Sequence, residues 1–279
     1  MSTKQSAITP PDADTGLWAW LRSPLPTIWL MGGLLYWLIG GILFNVVAWI
    51  LLFILPRPAG RVVGCKLIRA GFRFFCTYLR WTRLVDFDLS SLDRLRRTRE
   101  SFILAPNHTA LWDAVFIITC LPAPLCIMKT TILYNPLLGG CARLAGHIPN
   151  RSRAGTIRAA VKGLRHGGQL ILFPEGTRTR HHERWTNPFK GGVAAVAKVA
   201  EVPVYPVFVR SDTRYLQKGW PPWKRPSFPI HIEFELGEPV SVQPDESSHD
   251  FVERLERLFE DELSRPHPLR RQAEADAAT

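Results

Sequence analysis

The residues best equipped for chemistry stand in two short stretches, APNHTALWDAVF and FPEGTRTR. In the first, Asn107 and His108 precede four residues and then Asp113. On one continuous helix, side chains five residues apart point about 140° away from each other. The spacing therefore predicts that His108 sits in a strand-to-helix turn, with Thr109 as N-cap and Asp113 in the first turns of the helix. From there the carboxylate turns back to the imidazole. A carboxylate bound to one ring nitrogen fixes the tautomer and raises the basicity of the other, which can take a proton from a hydroxyl. A turn merely capped by a His and an Asp would carry the same letters, so the pair needs company.

That company is the second stretch, where QLILF runs into Pro174, Glu175, Gly176, Thr177 and Arg178. Loops at strand ends are where α/β domains build sites. The Arg178 fork suits bidentate binding of a phosphate, Gly176 lets backbone approach a ligand, and Glu175 is expected to orient Arg178. Between the two stretches, AGHIPNRSRAG puts Arg151 and Arg153 at the start of a helix, where free backbone N–H groups favour anions. Each arginine alone reads as a surface charge; three basic positions at successive loops with His108 read as a site for an anionic substrate.

The elements that must position these residues follow from short apolar runs alternating with amphipathic stretches, the texture of an α/β domain. Strands are expected at Ser101 to Ala105, Leu125 to Met128, Gln169 to Phe173, Val202 to Val209 and Ile230 to Leu236. Helices are expected at Leu111 to Thr119, Ser152 to His166 closed by Gly167 and Gly168, Phe189 to Ala200, and Asp250 to Leu263. The last begins with Asp250 and Glu253 at capping-box spacing and puts Phe251, Leu255, Leu258 and Phe259 on one face.

Ahead of this domain, the 34 residues from Ser23 to Pro56 carry no formal charge. Their apolar run is roughly 43 Å long as a helix, against a hydrocarbon core of about 30 Å, so it either tilts as one helix or breaks near Gly40-Gly41 into two that dip in and return. It is too long for a signal peptide and lacks a small-x-small cleavage site, so it is expected to stay attached. Residues 57–83 carry Arg57, Arg61, Lys66, Arg69, Arg73, Arg80 and Arg83 with no acid, which orients that side to the cytoplasm. Interleaved with Phe72, Phe74, Phe75, Tyr78 and Trp81, they form either an interfacial helix on anionic headgroups or a helix packed on the following domain. The expected organisation is a tail over residues 1–22, a membrane anchor and basic helix over 23–83, the α/β domain over 84–265 and a disordered tail over 266–279.

Composition closes off other classes. In 279 residues, 46% are hydrophobic, which excludes disorder, and five cysteines without a CxxC pair exclude a disulfide scaffold or a cysteine zinc site. Lys and Arg exceed Asp and Glu by 35 to 24, pointing to an anionic partner: nucleic acid, a membrane surface or a phosphorylated substrate. His181, His182 and Trp185 fall in a polar loop without a matched carboxylate pair, so no metal is expected there.

NHTALWD, FPEGTR, NPFKGG and VPVYPV stand in the order of the motif blocks of the glycerolipid acyltransferases, and residues 100 to 265 resemble the 1-acylglycerol-3-phosphate acyltransferase (PlsC-like) family. The resemblance implies a mixed sheet flanked by helices. It implies an enzyme that moves a fatty acyl group from acyl-CoA or acyl-carrier protein to the free hydroxyl of a lysophospholipid, most readily 1-acyl-sn-glycerol-3-phosphate, giving phosphatidic acid. His108 would be the general base and Asp113 its orienting partner. Glu175, Gly176, Thr177 and Arg178 would bind substrate, with Arg151 or Arg153 of the middle block joining Arg178 on the acceptor phosphate. Pro203 and Pro206 would shape the pocket. The family frequently has serine where Ala110 stands, and IPNR is one residue shorter than its usual middle block, which leaves Arg151 and Arg153 as alternatives. No cofactor beyond the thioester co-substrate, no nucleic acid, and a phospholipid membrane as partner are implied. Other lyso-lipids, including lyso-ornithine lipids, are alternative acceptors, and a non-catalytic lipid-binding protein is the alternative of another class.

The chemistry needs no covalent enzyme intermediate, because the thioester is already activated. No GxSxG occurs, and Cys120, Cys126 and Cys141 lie in apolar surroundings expected to leave them inert.

Overall fold

The computed structural model describes residues 24–180, 185–213, 215–220 and 226–269. The expected tail over 1–22, residues 270–279 of the one expected to be disordered, most of the His181-to-Trp185 loop and most of the loop at 220–223 lie outside them, whereas His267 is placed, its Nε2 3.1 Å from Glu233 Oε2.

Seven strands make one sheet: β1 (Val85–Asp88), β2 (Ile103–Pro106), β3 (Pro124–Lys129), β4 (Ile148–Asn150), β5 (Gln169–Ile171), β6 (Val204–Ser211) and β7 (Ile230–Leu236). Their spatial order is β1-β7-β6-β2-β5-β3-β4. Only β6 with β7 is antiparallel, so the sheet is mixed. β2 lies between β6 and β5, and it runs parallel to both. The chain leaving β2 at Asn107 and the chain leaving β5 at Leu172 therefore emerge side by side at the C-terminal ends of these central strands. This brings residues 108–113 next to 174–178 across more than sixty residues of sequence.

Burial explains which strands the sequence announced. All four residues of β2 and all three of β5 are buried, as expected for parallel strands covered on both faces. β1 alternates buried and exposed over VDFD, and β4 is only IPN. Neither carries an apolar run, and both were missed by the sequence reading, as was the short helix Gly139–Leu144.

In chain order the helices are α1 (Pro24–Leu35), α2 (Gly41–Ile54), α3 (Arg57–Trp81), α4 (Asp113–Cys120), α5 (Gly139–Leu144), α6 (Arg153–Arg165), α7 (Gly192–Ala200) and α8 (Ser248–Ser264). α3 and α4 cover one face of the sheet around Phe75, Leu79, Phe116 and Phe234; α6, α7 and α8 cover the other around Val193, Phe208, Phe251 and Phe259. Each buried phenylalanine contributes about 1.5–3 kcal/mol relative to exposure. α6 starts as expected, the Ser152 hydroxyl accepting from Gly155 N at 3.2 Å. The capping pair of α8 lies one turn earlier than expected. Ser247 accepts from Asp250 N at 3.2 Å and donates to the Asp250 carboxylate at 2.7 Å, because the helix extends back through polar residues that carry no apolar periodicity.

α1 and α2 are joined by a π-turn over Tyr36–Gly40, so the apolar segment is one continuous helix over Pro24–Ile54. The Gly40-Gly41 pair thus produces a wide turn instead of a break. Leu55 and Pro56 are extended, and α3 then runs back antiparallel: Tyr36 donates to Gly71 O at 2.7 Å, and Trp29 O accepts from Tyr78 at 2.5 Å. Farther along, Asn45 Oδ1 accepts from Gly140 N of α5 at 2.5 Å. The long helix is thus laid on the rest of the protein along both halves, while Ile28, Met31, Leu35, Leu38, Ile42, Val46 and Phe53 stay exposed on its other side at helical spacing. α3 packs tightly inward; a Cβ at Gly64 would lie 2.5 Å from Ala145 N, so only glycine permits this approach to the end of α5.

Candidate active site

His108 leaves β2 in the turn before α4, and its Nδ1 meets Asp113 Oδ2 at 2.9 Å. The geometry is the one the spacing predicted, with one change. Thr109 is not the N-cap; its hydroxyl donates to Asp113 Oδ1 at 3.3 Å, and Ala110 N donates to Asp113 Oδ2 at 2.8 Å. The carboxylate of Asp113, fully buried at the first position of α4, is thereby held by backbone, hydroxyl and imidazole together. Ala110 needs no side-chain hydroxyl for this, since its backbone and the Thr109 hydroxyl serve instead. Nδ1 being engaged, Nε2 is the ring nitrogen left for substrate. The ring stacks on Phe173, which follows β5, with centroids 4.0 Å apart.

Glu175 does something other than orient Arg178. Its Oε1 accepts from His108 N at 2.9 Å and from the Thr179 hydroxyl at 2.8 Å; its Oε2 accepts from Asn187 N at 2.9 Å and Asn187 Nδ2 at 2.6 Å. Burial raises the carboxyl's pKa, against the lowering effect of these donors. Glu175 is 1% exposed and is not part of the cavity wall, so it ties the two loops to each other rather than touching a ligand. Thr179 N donates to His108 O at 2.6 Å and completes the tie. Asn187, which the sequence reading passed over, is the third corner; its place in NPFKGG was the available signal.

Arg178 donates from its guanidinium to Leu216 O at 2.6 Å and Gln217 O at 3.3 Å, pinning the loop after β6 over the site. Gly176 has φ +68°, and a Cβ there would lie 2.6 Å from Lys190 Nζ. A side chain at this position would displace the lysine from the loop.

His108 opens onto a cavity of about 1020 Å³. Gly176, Thr177 and Arg178 line it, with Lys129, Arg153, Lys190 and Lys218. Of the alternative arginines, Arg153 is in the wall and Arg151 is not. Among the described residues no aspartate or glutamate lines the cavity, so its charged lining is basic. The Lys218 ammonium is pushed below the usual lysine range by desolvation and by Arg180, Lys129, Arg178 and Lys190 around it. Beyond the basic mouth the wall is apolar and runs between the sheet and the N-terminal helices, past Trp112, Phe75, Trp37 and Phe44. Pro203 and Pro206 are not in this wall; they belong to the β6 side of the sheet, where Pro203 O accepts from Ile103 N at 3.0 Å and Pro206 O from Gly237 N at 2.9 Å. Burial pushes the Cys126 thiol up to about 12 and the Cys141 thiol up to about 11, so neither supplies a thiolate near neutral pH.

A family model described as Acyltransferase matches residues 87–210. The 1-acyl-sn-glycerol-3-phosphate acyltransferase of Streptococcus pneumoniae is 29% identical over 150 residues, covering 49% of this chain and 54% of that protein. The enzyme of the same name from Helicobacter pylori is 26% identical over 175 residues, 60% of this chain and 70% of that one. This chain spans about half the length of most of the curated relatives it matches. In structure it is similar to the 1-acyl-sn-glycerophosphate acyltransferase PlsC of Thermotoga maritima, with a TM-score of 0.64 at 20% identity, over 88% of this chain and 100% of that one, which speaks for a shared fold. The matched span carries both the turn that holds His108 and the loop that Glu175 ties to it, and the chain is similar to the PlsC-like acyltransferases in the sequence of that span and in fold.

Proposed function

We propose that the protein transfers a fatty acyl group from a thioester, acyl-CoA or acyl-carrier protein, to the free hydroxyl of 1-acyl-sn-glycerol-3-phosphate. The observation that carries this reading is a single cavity that joins the His108 imidazole, a mouth lined among the described residues by cations and no carboxylates, and a long apolar wall. Each part matches a part of the reaction. Asp113 holds His108 with Nε2 free, so the imidazole takes the acceptor proton while the oxygen attacks the thioester carbonyl. The tetrahedral intermediate then collapses, and the imidazolium returns the proton to the departing thiolate. General-base assistance of this kind is worth about 10² to 10⁴ in rate, and binding two substrates in one cavity adds positioning.

Arg153, Arg178, Lys190 and Lys218 would receive the acceptor phosphate. Arg178 has part of its fork committed to Leu216 and Gln217, which leaves the lysines to carry much of the charge. A described lining of cations favours a phosphate-bearing acceptor over a lyso-ornithine lipid, whose headgroup carries an ammonium of its own. Arg151, outside the cavity wall, is the less favoured of the two arginines of the middle block.

The exposed stripe of the long N-terminal helix would enter the apolar layer of a phospholipid membrane, with the arginines of α3 at the headgroups and the domain on the cytoplasmic side. An acceptor moving in the bilayer would then reach His108 without its chain being hydrated, a step that costs about 0.8 kcal/mol per methylene.

Purified protein offered labelled acyl-CoA or acyl-carrier protein with a panel of lyso-lipids should acylate 1-acyl-sn-glycerol-3-phosphate and leave lyso-ornithine lipid largely unreacted. No transfer to any acceptor would overturn the assignment.

A further inference from the structure

The tie between the two loops has a member outside the cavity wall. Asn187 lies between the EGTR loop and α7 and does not line the cavity. Each polar atom of its side chain is engaged: Nδ2 donates to Glu175 Oε2 at 2.6 Å and to Arg178 O at 3.2 Å, and Oδ1 accepts from Arg180 N at 3.2 Å. A primary amide carries two donor hydrogens, so the two Nδ2 bonds coexist. The backbone N of Asn187 adds a second donor to Glu175 Oε2 at 2.9 Å.

These bonds bear on the charge of Glu175. Both partners of Oε2 can only donate, so a proton on that oxygen would face two N–H groups, and the arrangement favours the ionised carboxylate. Burial opposes it by raising the pKa, and the neighbouring His108 lowers it through its charge. Arg178, the closest arginine in sequence, directs its guanidinium to Leu216 and Gln217 instead, and Asp113 meets His108 from α4 through Nδ1. Without the Asn187 side chain an almost fully buried Oε2 would keep one donor, and the balance would move toward the neutral acid. An ionised Glu175 beside His108 favours the imidazolium that forms when the base takes its proton.

Resting on the proposed acyl transfer, we infer that Asn187 is a positioning residue that acts on His108 through Glu175, keeping the buried carboxylate ionised and in the place where it holds the backbone of the base. Two carboxylates then serve one imidazole, Asp113 through Nδ1 and Glu175 through the His108 N–H and its charge. A tie that only held loops together would lower the rate equally at every pH; one that maintains a charge loses its effect where Glu175 is ionised without help.

The test has two readouts on the native protein and Asn187→Leu. Infrared spectra across pH, with Glu175→Gln as the blank, follow the carboxyl directly; in Asn187→Leu it should titrate roughly one pH unit or more above native, the effect of a lost hydrogen bond to the charged form. The ratio of variant to native kcat, with acyl thioester and 1-acyl-sn-glycerol-3-phosphate saturating, should fall roughly five- to tenfold from about pH 9 to about pH 6, while the KM of each substrate changes little. Asn187→Ser, which keeps a side-chain donor, should recover part of both. An unmoved carboxyl titration, or a kcat ratio that is flat across pH, would overturn the inference. If Asn187→Leu does not fold, Asn187→Asp, the same shape without the donor, carries the same two readouts. Absence of transfer by the native protein would instead defeat the acyl-transfer reading, and the infrared titration would still show whether Asn187 holds Glu175 ionised.

Discussion

The protein contains a second histidine–aspartate pair built almost like the first. His231 Nδ1 meets Asp212 Oδ2 at 2.6 Å, and His231 N donates to the other oxygen of the same carboxylate at 2.9 Å. His108 Nδ1 likewise meets Asp113 Oδ2 at 2.9 Å, with Ala110 N as the backbone donor, here to that same oxygen. In both pairs the carboxylate is buried, and the His231 side chain is the more exposed, at 37% against 18%. What separates them is their neighbours. His108 opens on the cavity, stacks on Phe173 and has its backbone tied to the EGTR loop by Glu175; His231, on β7, is not part of the cavity wall. A dyad is therefore no site without an enclosed place for the reacting atoms and a frame that fixes the base. His147 completes the contrast, since it lies in the cavity wall but has no carboxylate.

The largest effect expected from this contrast is on the first pair. His108→Ala should lower kcat by about 10² to 10⁴ without unfolding the domain, and Asp113→Asn should lower it strongly. Turnover near the native rate in the His108 variant would end the assignment of the base.

A stability measurement separates His147 from both pairs. Its pKa falls from 6.5 in the unfolded chain to about 4 in the fold, so the folded state holds the proton less tightly. Stability should then be lost as pH falls from 6.5 toward 4, by about 3 kcal/mol in all, with Arg61 the charged group that opposes protonation. Denaturant titrations across that window should show the loss in native protein and a shallower one in His147→Phe; identical slopes would mean that the ring titrates freely.

Smaller still is the expected effect at the mouth. Lys190→Ala should raise the acceptor KM by about fivefold with little change in kcat or in the KM of the thioester, the pattern of lost ground-state binding. Equal changes for both substrates would move Lys190 away from the acceptor. Least of all, His231→Ala should leave kcat within about twofold of native, the range expected for a residue remote from the reacting atoms. A loss comparable to that of His108→Ala would erase the distinction between the pairs.

Much of this was legible in the letters, for physical reasons that differ from element to element. β7 was read from Ile230 to Leu236, its observed span, because its alternating apolar residues match a half-covered strand. The turn at His108 was legible because a five-residue spacing is incompatible with one helical face, and the helix over Pro24–Ile54 because so long an uncharged apolar run favours one. Those features are local, so local sequence determined them. The role of Glu175 was not local: its partners His108 and Asn187 come from other loops, and only the parallel neighbours β2 and β5 bring the first of them within reach. That Arg153 and not Arg151 lines the cavity depends on how the turn between β4 and α6 is set in the fold, which spacing alone does not determine. His147 carried no signal at all, since a single histidine between a glycine and a short strand reads as any polar residue. Its meaning comes from burial against α3 and α5, and burial is a property of the packed chain.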